Sequence, residues 1–152
     1  YSYRGPHRYF LTFCTHDRVC AFIDAAVVAV TLLQFRRTCG QEGFDLLTYC
    51  LMPDHARLLV EGMTESSDLQ RFAKLSKQRS GAQHALSIGG PLWQEGFHDR
   101  ILRVEEDTRV VARYILENPV RAGLATDARD YPFSGSGRWT TDGLPEGGRY
   151  TG

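Results

Sequence analysis

The spacing of apolar residues changes period several times along the chain, and each change marks an element. Residues 9–15 are rich in aromatic and β-branched types, with Phe10, Thr12, Phe13 and Thr15, and predict a first strand. Asp24 is placed to cap a helix in which Val28, Leu32 and Phe35 recur at i, i+4 and i+7. That helix should end near Gly40, with Arg36 and Arg37 suited to its C-terminal dipole. Residues 44–51 and 55–61 read as two further strands joined by the turn Met52-Pro53-Asp54, an antiparallel hairpin. From 67 to about 81, Leu69, Phe72, Ala73 and Leu75 repeat with helical spacing. After the break Gly89-Gly90-Pro91, residues 92–102 hold Trp93, Phe97 and Ile101 in a short strand or extended segment. Asp107 is placed to cap a last helix whose buried stripe is Val111 and Ile115. Proline disfavours helical geometry in the residue before it, so Pro119 should stop this helix near Asn118.

The order strand, helix, strand, strand, helix, strand, helix predicts an α+β fold. Its first six elements match the ferredoxin-like split βαβ arrangement, an antiparallel sheet with helices on one face, to which the last helix is added C-terminally. Residues 1–133 supply one domain. Residues 134–152 hold six glycines and few apolar groups, and are read as a Gly-rich flexible tail.

Composition narrows the picture. A chain of 152 residues has material for one core, and with 42% hydrophobic and 24% charged residues it is globular in type. No apolar run approaches the roughly 18 residues of a membrane helix, so no membrane partner is expected. Lys+Arg and Asp+Glu are 18 each, so any polyanion-binding surface must come from local clustering. Such a cluster exists: Arg71, Lys74, Lys77 and Arg79 follow Asp68 in the second helix without another acid. Cys14, Cys20, Cys39 and Cys50 form no C-x-x-C pair, and read as reduced, buried small hydrophobes in a cytoplasmic protein. The chain starts at Tyr1 and its first residues lack the apolar core of a signal peptide, which suggests a trimmed start and gives secretion no support.

Two stretches carry the chemistry. In Met52-Pro53-Asp54-His55-Ala56-Arg57-Leu58-Leu59-Val60, strand alternation puts His55 and Arg57 on one face and turns Ala56 and Leu58 to the core. In Tyr114-Ile115-Leu116-Glu117-Asn118-Pro119-Val120-Arg121-Ala122-Gly123, helical stacking puts Tyr114 and Asn118 on one face beside the apolar stripe. With Leu92-Trp93-Gln94-Glu95-Gly96-Phe97-His98-Asp99-Arg100 between them, these stretches resemble the IS200-like single-tyrosine transposases over about residues 9–133. The strand is similar to their His-hydrophobic-His signature, and the helix to the tyrosine helix of their REP-associated branch.

The resemblance implies a ferredoxin-like sheet, a single-stranded or hairpin DNA substrate, and cleavage with strand transfer through a covalent phosphotyrosine. It also implies Mg²⁺ or Mn²⁺ held by two histidines and a polar residue four positions after the tyrosine. By position, Tyr114 is similar to the nucleophile, His55 to the first metal ligand and Asn118 to the third. Arg57 stands where the second histidine belongs. A guanidinium has no lone pair for a metal and brings a positive charge, so the metal is held weakly or lost, and Arg57 reads instead as a phosphate contact. Arg71, Lys74, Lys77, Arg79, Arg100, Arg103 and Arg113 are the candidate DNA-binding residues. The residue types suit the reaction: a phenol of pKa near 10 needs help to attack a phosphodiester, and a phosphotyrosine conserves the bond energy for joining a second end. The alternative is a catalytically impaired, domesticated hairpin-DNA-binding protein. A monomer or a homodimer would serve either role. A general RNA-binding domain of this topology is disfavoured, since no Lys/Arg-Gly-Phe stacking run is present.

Plainer readings stand beside these. His55 would be a hydrogen-bonded structural residue, Tyr114 a packing residue, Asn118 a helix end before proline, and the basic run a solvated helix face. His98 with Asp99 is either an acid/base pair or a structural hydrogen bond, and Trp93 and Phe97 either stack on bases or fill the core.

Overall fold

The chain runs through β1 (Arg8–Cys14), α1 (Ala25–Glu42), β2 (Phe44–Met52), β3 (His55–Gly62), α2 (Leu69–Ser87), β4 (His98–Leu102), α3 (Glu105–Leu116), α4 (Asn118–Arg121) and β5 (Ser134–Ser136). The structure, a computed structural model, describes residues 3–139. The strands form one antiparallel sheet in the order β4-β1-β3-β2-β5, whose first four positions are those of the split βαβ arrangement.

Strands β1 and β3 are apolar on both sides because the sheet is roofed on both sides. Tyr9, Leu11 and Phe13 of β1 and Ala56, Leu58 and Val60 of β3 meet Phe35 of α1 and Phe72 of α2 in the larger core. Phe10 of β1 and Leu59 of β3 point the other way, into a smaller core with Val111, Ala112 and Ile115 of α3. Helices α1 and α2 therefore share one face, and the helix carrying Tyr114 covers the opposite one. A β-bulge at Leu46–Thr48 resets the alternation of β2, so Leu46, Tyr49 and Leu51 face the larger core while Leu47, Cys50 and Met52 face the smaller.

Several element ends differ from the sequence reading. Asp24 does cap α1, accepting from the Ala26 N–H at 2.8 Å, but the helix passes Gly40 and stops at Gly43, whose φ of 73° is the left-handed C-cap conformation. Asp68 caps α2 from outside, accepting from Arg71 N–H, and the helix continues through Gly81 to Ser87. Asp107 is not the cap of α3: the helix starts at Glu105, and Glu105, Glu106 and Asp107 sit together in its first turn, where carboxylates complement the helix dipole. The helix also ends earlier, at Leu116. Pro119 lacks the N–H that would bond to the Ile115 carbonyl, and instead sits in the first turn of α4, which Asn118 opens. Residues 134–136, read as the start of a tail, form β5 against β2. Gly135 is required there because a Cβ would lie 2.8 Å from the Tyr49 hydroxyl. The part of the expected tail from residue 140 onward lies outside the described residues. Cys14, Cys39 and Cys50 are buried as expected, whereas Cys20 is exposed. No helix among the described residues is long and apolar enough to cross a membrane.

Candidate active site

The turn Pro53–Asp54 closes the β2–β3 hairpin at the pair Met52 and His55, which sets Asp54 beside the first residue of β3. On the face under α3, strand register then aligns His98, Thr12, Arg57 and Cys50 in one row across β4, β1, β3 and β2. Cys14, His55 and Met52 lie in the adjacent row on one side, and Arg100, Phe10 and Leu59 on the other.

His55 is fixed at both nitrogens. Its Nδ1–H donates to Asp54 Oδ1 at 2.8 Å, and its Nε2 lies 3.3 Å from Asn118 Oδ1. Asp54 in turn accepts from Arg18 Nε at 3.0 Å. Burial would raise the Asp54 carboxyl, but hydrogen bonds from Arg18 and His55 outweigh it and hold the group below the usual carboxylate value. Burial pushes the His55 imidazole down; the charge of Arg57 adds to this, and the bond to Asp54 only partly offsets it. A neutral imidazole donating from Nδ1 has a lone pair at Nε2. That lone pair and the Asn118 amide oxygen thus face one another as two acceptors, or the amide turns its NH₂ group toward the ring.

Tyr114 is half-buried. Its ring meets Phe10 edge-on at 6.1 Å. The Arg57 guanidinium carbon lies 5.3 Å from the ring centroid, and that of Arg121 lies 3.8 Å from it. Arg121 also donates from Nη2 to the Tyr114 carbonyl at 2.7 Å. The structure therefore brings Tyr114, Arg57, His55 and Asn118 together: Arg57 touches the phenol ring, and Asn118, four residues after Tyr114, touches His55. Tyr114 and Asn118 do not belong to one continuous helix, because the chain turns at Glu117 (φ −90°, ψ 0°) between them.

The candidate DNA-binding residues divide. Arg100 faces the same side of the sheet as Phe10, and Arg103 is exposed in the connection from β4 to α3. Arg113 is paired with Glu117 at 3.0 Å on α3. Arg71, Lys74, Lys77 and Arg79 belong to α2 on the opposite face. There Arg71 pairs with Glu42 at 2.6 Å, Lys77 donates to the Gln94 and Gly96 carbonyls, and Arg79 donates to Thr38 at 3.2 Å. Lys74 and Lys77 border a cleft of about 670 Å³ that Trp93 and Phe97 also line. Trp93 nonetheless packs on Phe13, Phe22 and Phe35 and donates to Ser80, as a core residue does. His98 and Asp99, adjacent on a strand, point to opposite faces, so they form neither an acid/base pair nor a structural hydrogen bond.

Sequence reasoning passed over Asp54, Arg18 and Arg121. Asp54 was visible as the acid beside His55. Arg121 stands seven residues after Tyr114, two helical turns on, a spacing that signals a shared side. Arg18 reaches Asp54 only through the tertiary fold.

As a divalent-metal site, the residues fit poorly. His55 and Asn118 supply two neutral donors, Asp54 is engaged by Nδ1–H and Arg18, and Arg57 adds positive charge. Mg²⁺ and Mn²⁺ favour oxygen-rich, carboxylate-bearing sets. No group of three or more His, Cys, Asp or Glu suited to a metal occurs among the described residues.

Comparison with known proteins bears on this arrangement. Residues 6–118 match the family described as transposase IS200-like. A Haemophilus influenzae protein, provisionally named a REP-associated tyrosine transposase, is 24% identical over 139 residues, which cover 83% of this chain and 77% of that protein. The REP-associated tyrosine transposase of Escherichia coli strain K12 is 30% identical over 104 residues, 66% of this chain and 59% of its own length. A solved REP-associated tyrosine transposase bound to a REP hairpin shares the fold, with a TM-score of 0.77 at 19% identity over 88% of this chain and 79% of that one.

Proposed function

The chain belongs to the IS200-like transposase family, and from that premise we propose that it cleaves and rejoins DNA at single-stranded or hairpin ends, with Tyr114 as nucleophile. The observation that carries this reading is the convergence, on one sheet face, of the half-buried Tyr114 of α3 with the His55 strand, linked through Arg57 and Asn118. The REP hairpin bound by the structural relative supports a hairpin as substrate. In the proposed reaction the Tyr114 oxygen bonds to phosphorus as one sugar oxygen departs. The phenolic proton passes to solvent and the departing alkoxide takes one from it, leaving a phosphotyrosine that a second strand end can attack. Asp54 holds His55 in one tautomer, and the Asn118 amide fixes the other side of the ring with its NH₂ group turned toward Nε2. Any Mg²⁺ or Mn²⁺ would contact His55 and Asn118 and be held weakly or not at all. Arg100 and Arg103 are proposed to follow the DNA backbone beside Tyr114, with Arg113 on the same helix. The α2 residues Arg71, Lys74, Lys77 and Arg79 are proposed as a separate backbone contact on the far face.

The test is incubation with labelled hairpin oligonucleotides and Mn²⁺, followed by denaturing electrophoresis. A denaturation-resistant protein–DNA adduct is expected, and Tyr114→Phe removes it. Arg57 favours a second reading, an impaired hairpin-binding relative. In that case the unaltered chain binds hairpins without adduct, and Arg57→His restores the adduct.

A further inference from the structure

Arg57 and Arg121 come from distant parts of the chain and both rest on the Tyr114 ring, at 5.3 and 3.8 Å from its centroid. Neither forms a salt bridge among the described residues, and the Glu117 carboxylate, which lies near enough to favour the charge of Arg121, is itself paired with Arg113. Arg57 makes ring contacts only, to Tyr114 and to Phe10 at 5.9 Å, and its Nε is shut from water without an acceptor. Arg121 spends one N–H on the Tyr114 carbonyl. Partial burial pushes the Arg121 guanidinium below its ordinary value and the charge of Arg57 adds to this, while Tyr114 and the Glu117 carboxylate oppose it; the group stays protonated at working pH. Three other arginines near this face are matched with acids: Arg18 with Asp54, Arg8 with Glu61 and Glu105, and Arg113 with Glu117. The two guanidiniums repel each other, and an unpaired N–H away from water is costly. A bound phosphodiester removes the first cost, because the remaining guanidinium N–H groups are donors that match phosphate oxygens.

Resting on the reading of Tyr114 as nucleophile, we propose that Arg57 and Arg121 form a phosphodiester-binding site at the phenol, which supplies the positive charge that a divalent metal would otherwise bring. The scissile phosphate is bound by the two guanidiniums beside the Tyr114 ring, where the phenol oxygen attacks it. As the P–O(Tyr) bond forms and the P–O(sugar) bond breaks, charge gathers on the non-bridging oxygens, where fixed donors stabilise it. The reaction then proceeds without a metal ion, and the loss of the second metal histidine at position 57 exchanges one cation for another.

Two measurements test this on the full chain. In the first, inorganic phosphate is titrated while the side-chain Nε–H resonances of Arg57 and Arg121 are followed. Both shift together in the wild type, and the Arg57 shift is lost in Arg121→Ala, which removes an exposed side chain and should fold. In the second, hairpin oligonucleotides with randomised single-stranded flanks are offered in EDTA and in Mn²⁺. Adduct forms at similar rates in both, Arg121→Ala slows it by about a hundredfold, and Arg121→Lys recovers part of the rate. Unmoved resonances, or adduct that forms in Mn²⁺ but not in EDTA, overturn the proposal; the second result leaves the tyrosine chemistry intact. Phosphate shifts with no adduct in either buffer uphold the anion site and remove the strand-transfer reading instead.

Discussion

On the face covered by α1 and α2, Tyr9, Leu11 and Phe13 of β1 and Ala56, Leu58 and Val60 of β3 are wholly buried among aromatic rings. On the opposite face, the alternate residues of the same strands include Thr12, His55 and Arg57, all half-buried, and α3 packs over Phe10 and Leu59 beside them. One set of backbones thus supports a close-packed core on one side and a partly open polar surface on the other. Period-two alternation is what allows this: each strand commits every second residue to stability, and β1 and β3 leave the others available for chemistry. The basic residues follow the same division. Those on α2 are bound largely to protein acceptors, whereas Arg57 and Arg121 form no salt bridge among the described residues.

The contrast is sharpest at Tyr114. Tyr114→Phe should abolish adduct formation, by at least about a thousandfold, while unfolding free energy changes by less than about 1 kcal/mol. Electrophoresis and a denaturant titration read the two effects; a large stability loss would mean the phenol is a packing group after all. The converse substitution is Phe13→Ala in the larger core, where the ring meets Phe35, Trp93 and Phe97. It should cost about 3–5 kcal/mol and lower the melting temperature by roughly 2–4 °C per kcal/mol, with adduct yield following only the folded fraction.

Hairpin affinity compares the faces directly. The double variant Arg100→Ala with Arg103→Ala should weaken binding by about tenfold and reduce the salt slope, each phosphate contact being worth about one unit. Arg71→Ala with Lys74→Ala should change binding by less than about threefold in the same buffer. Equal losses would show that DNA reaches both faces.

The smallest effect concerns pH. His55 is held below its ordinary value in the folded chain, so folding favours its neutral form. The stability this contributes is complete above the unfolded value near 6.5 and falls as pH drops through it toward the lower folded value. Unfolding measured from pH 8 down to pH 5 should therefore show a loss in the wild type that His55→Gln reduces. A loss of the same size in both would place the titrating group elsewhere.

Much of the site was legible in the chain. His55 and Arg57 had to share a face once residues 55–61 were read as a strand, whereas the four-residue spacing of Tyr114 and Asn118, read as one helix face, spans the junction between two helices. What spacing missed was the break at Glu117, because a proline can open a new helical turn as readily as it ends an old one. Reading Asp107 as the cap failed because an acid near a helix start serves either as cap or as first-turn residue, and local sequence does not separate the two. The segment 134–136 looked like tail because strand formation there depends on an edge of β2 that is 88 residues away at the Thr48–Ser136 pair, and on a glycine that clears Tyr49.

The amino-acid sequence alone determined the alternation that turns His55 and Arg57 away from the larger core, the order of elements, and the residue types able to do phosphoryl chemistry. These are consequences of backbone sterics and side-chain chemistry, which act over a few residues. Only the tertiary structure decided that α3 lies on the other side of the sheet from α1 and α2, that a bulge in β2 puts Cys50 in the row with Arg57, and that Arg121 joins Arg57 at the Tyr114 ring. Those outcomes depend on register and packing between segments far apart in the chain, where many local patterns are compatible with more than one arrangement and the burial of the two cores selects among them.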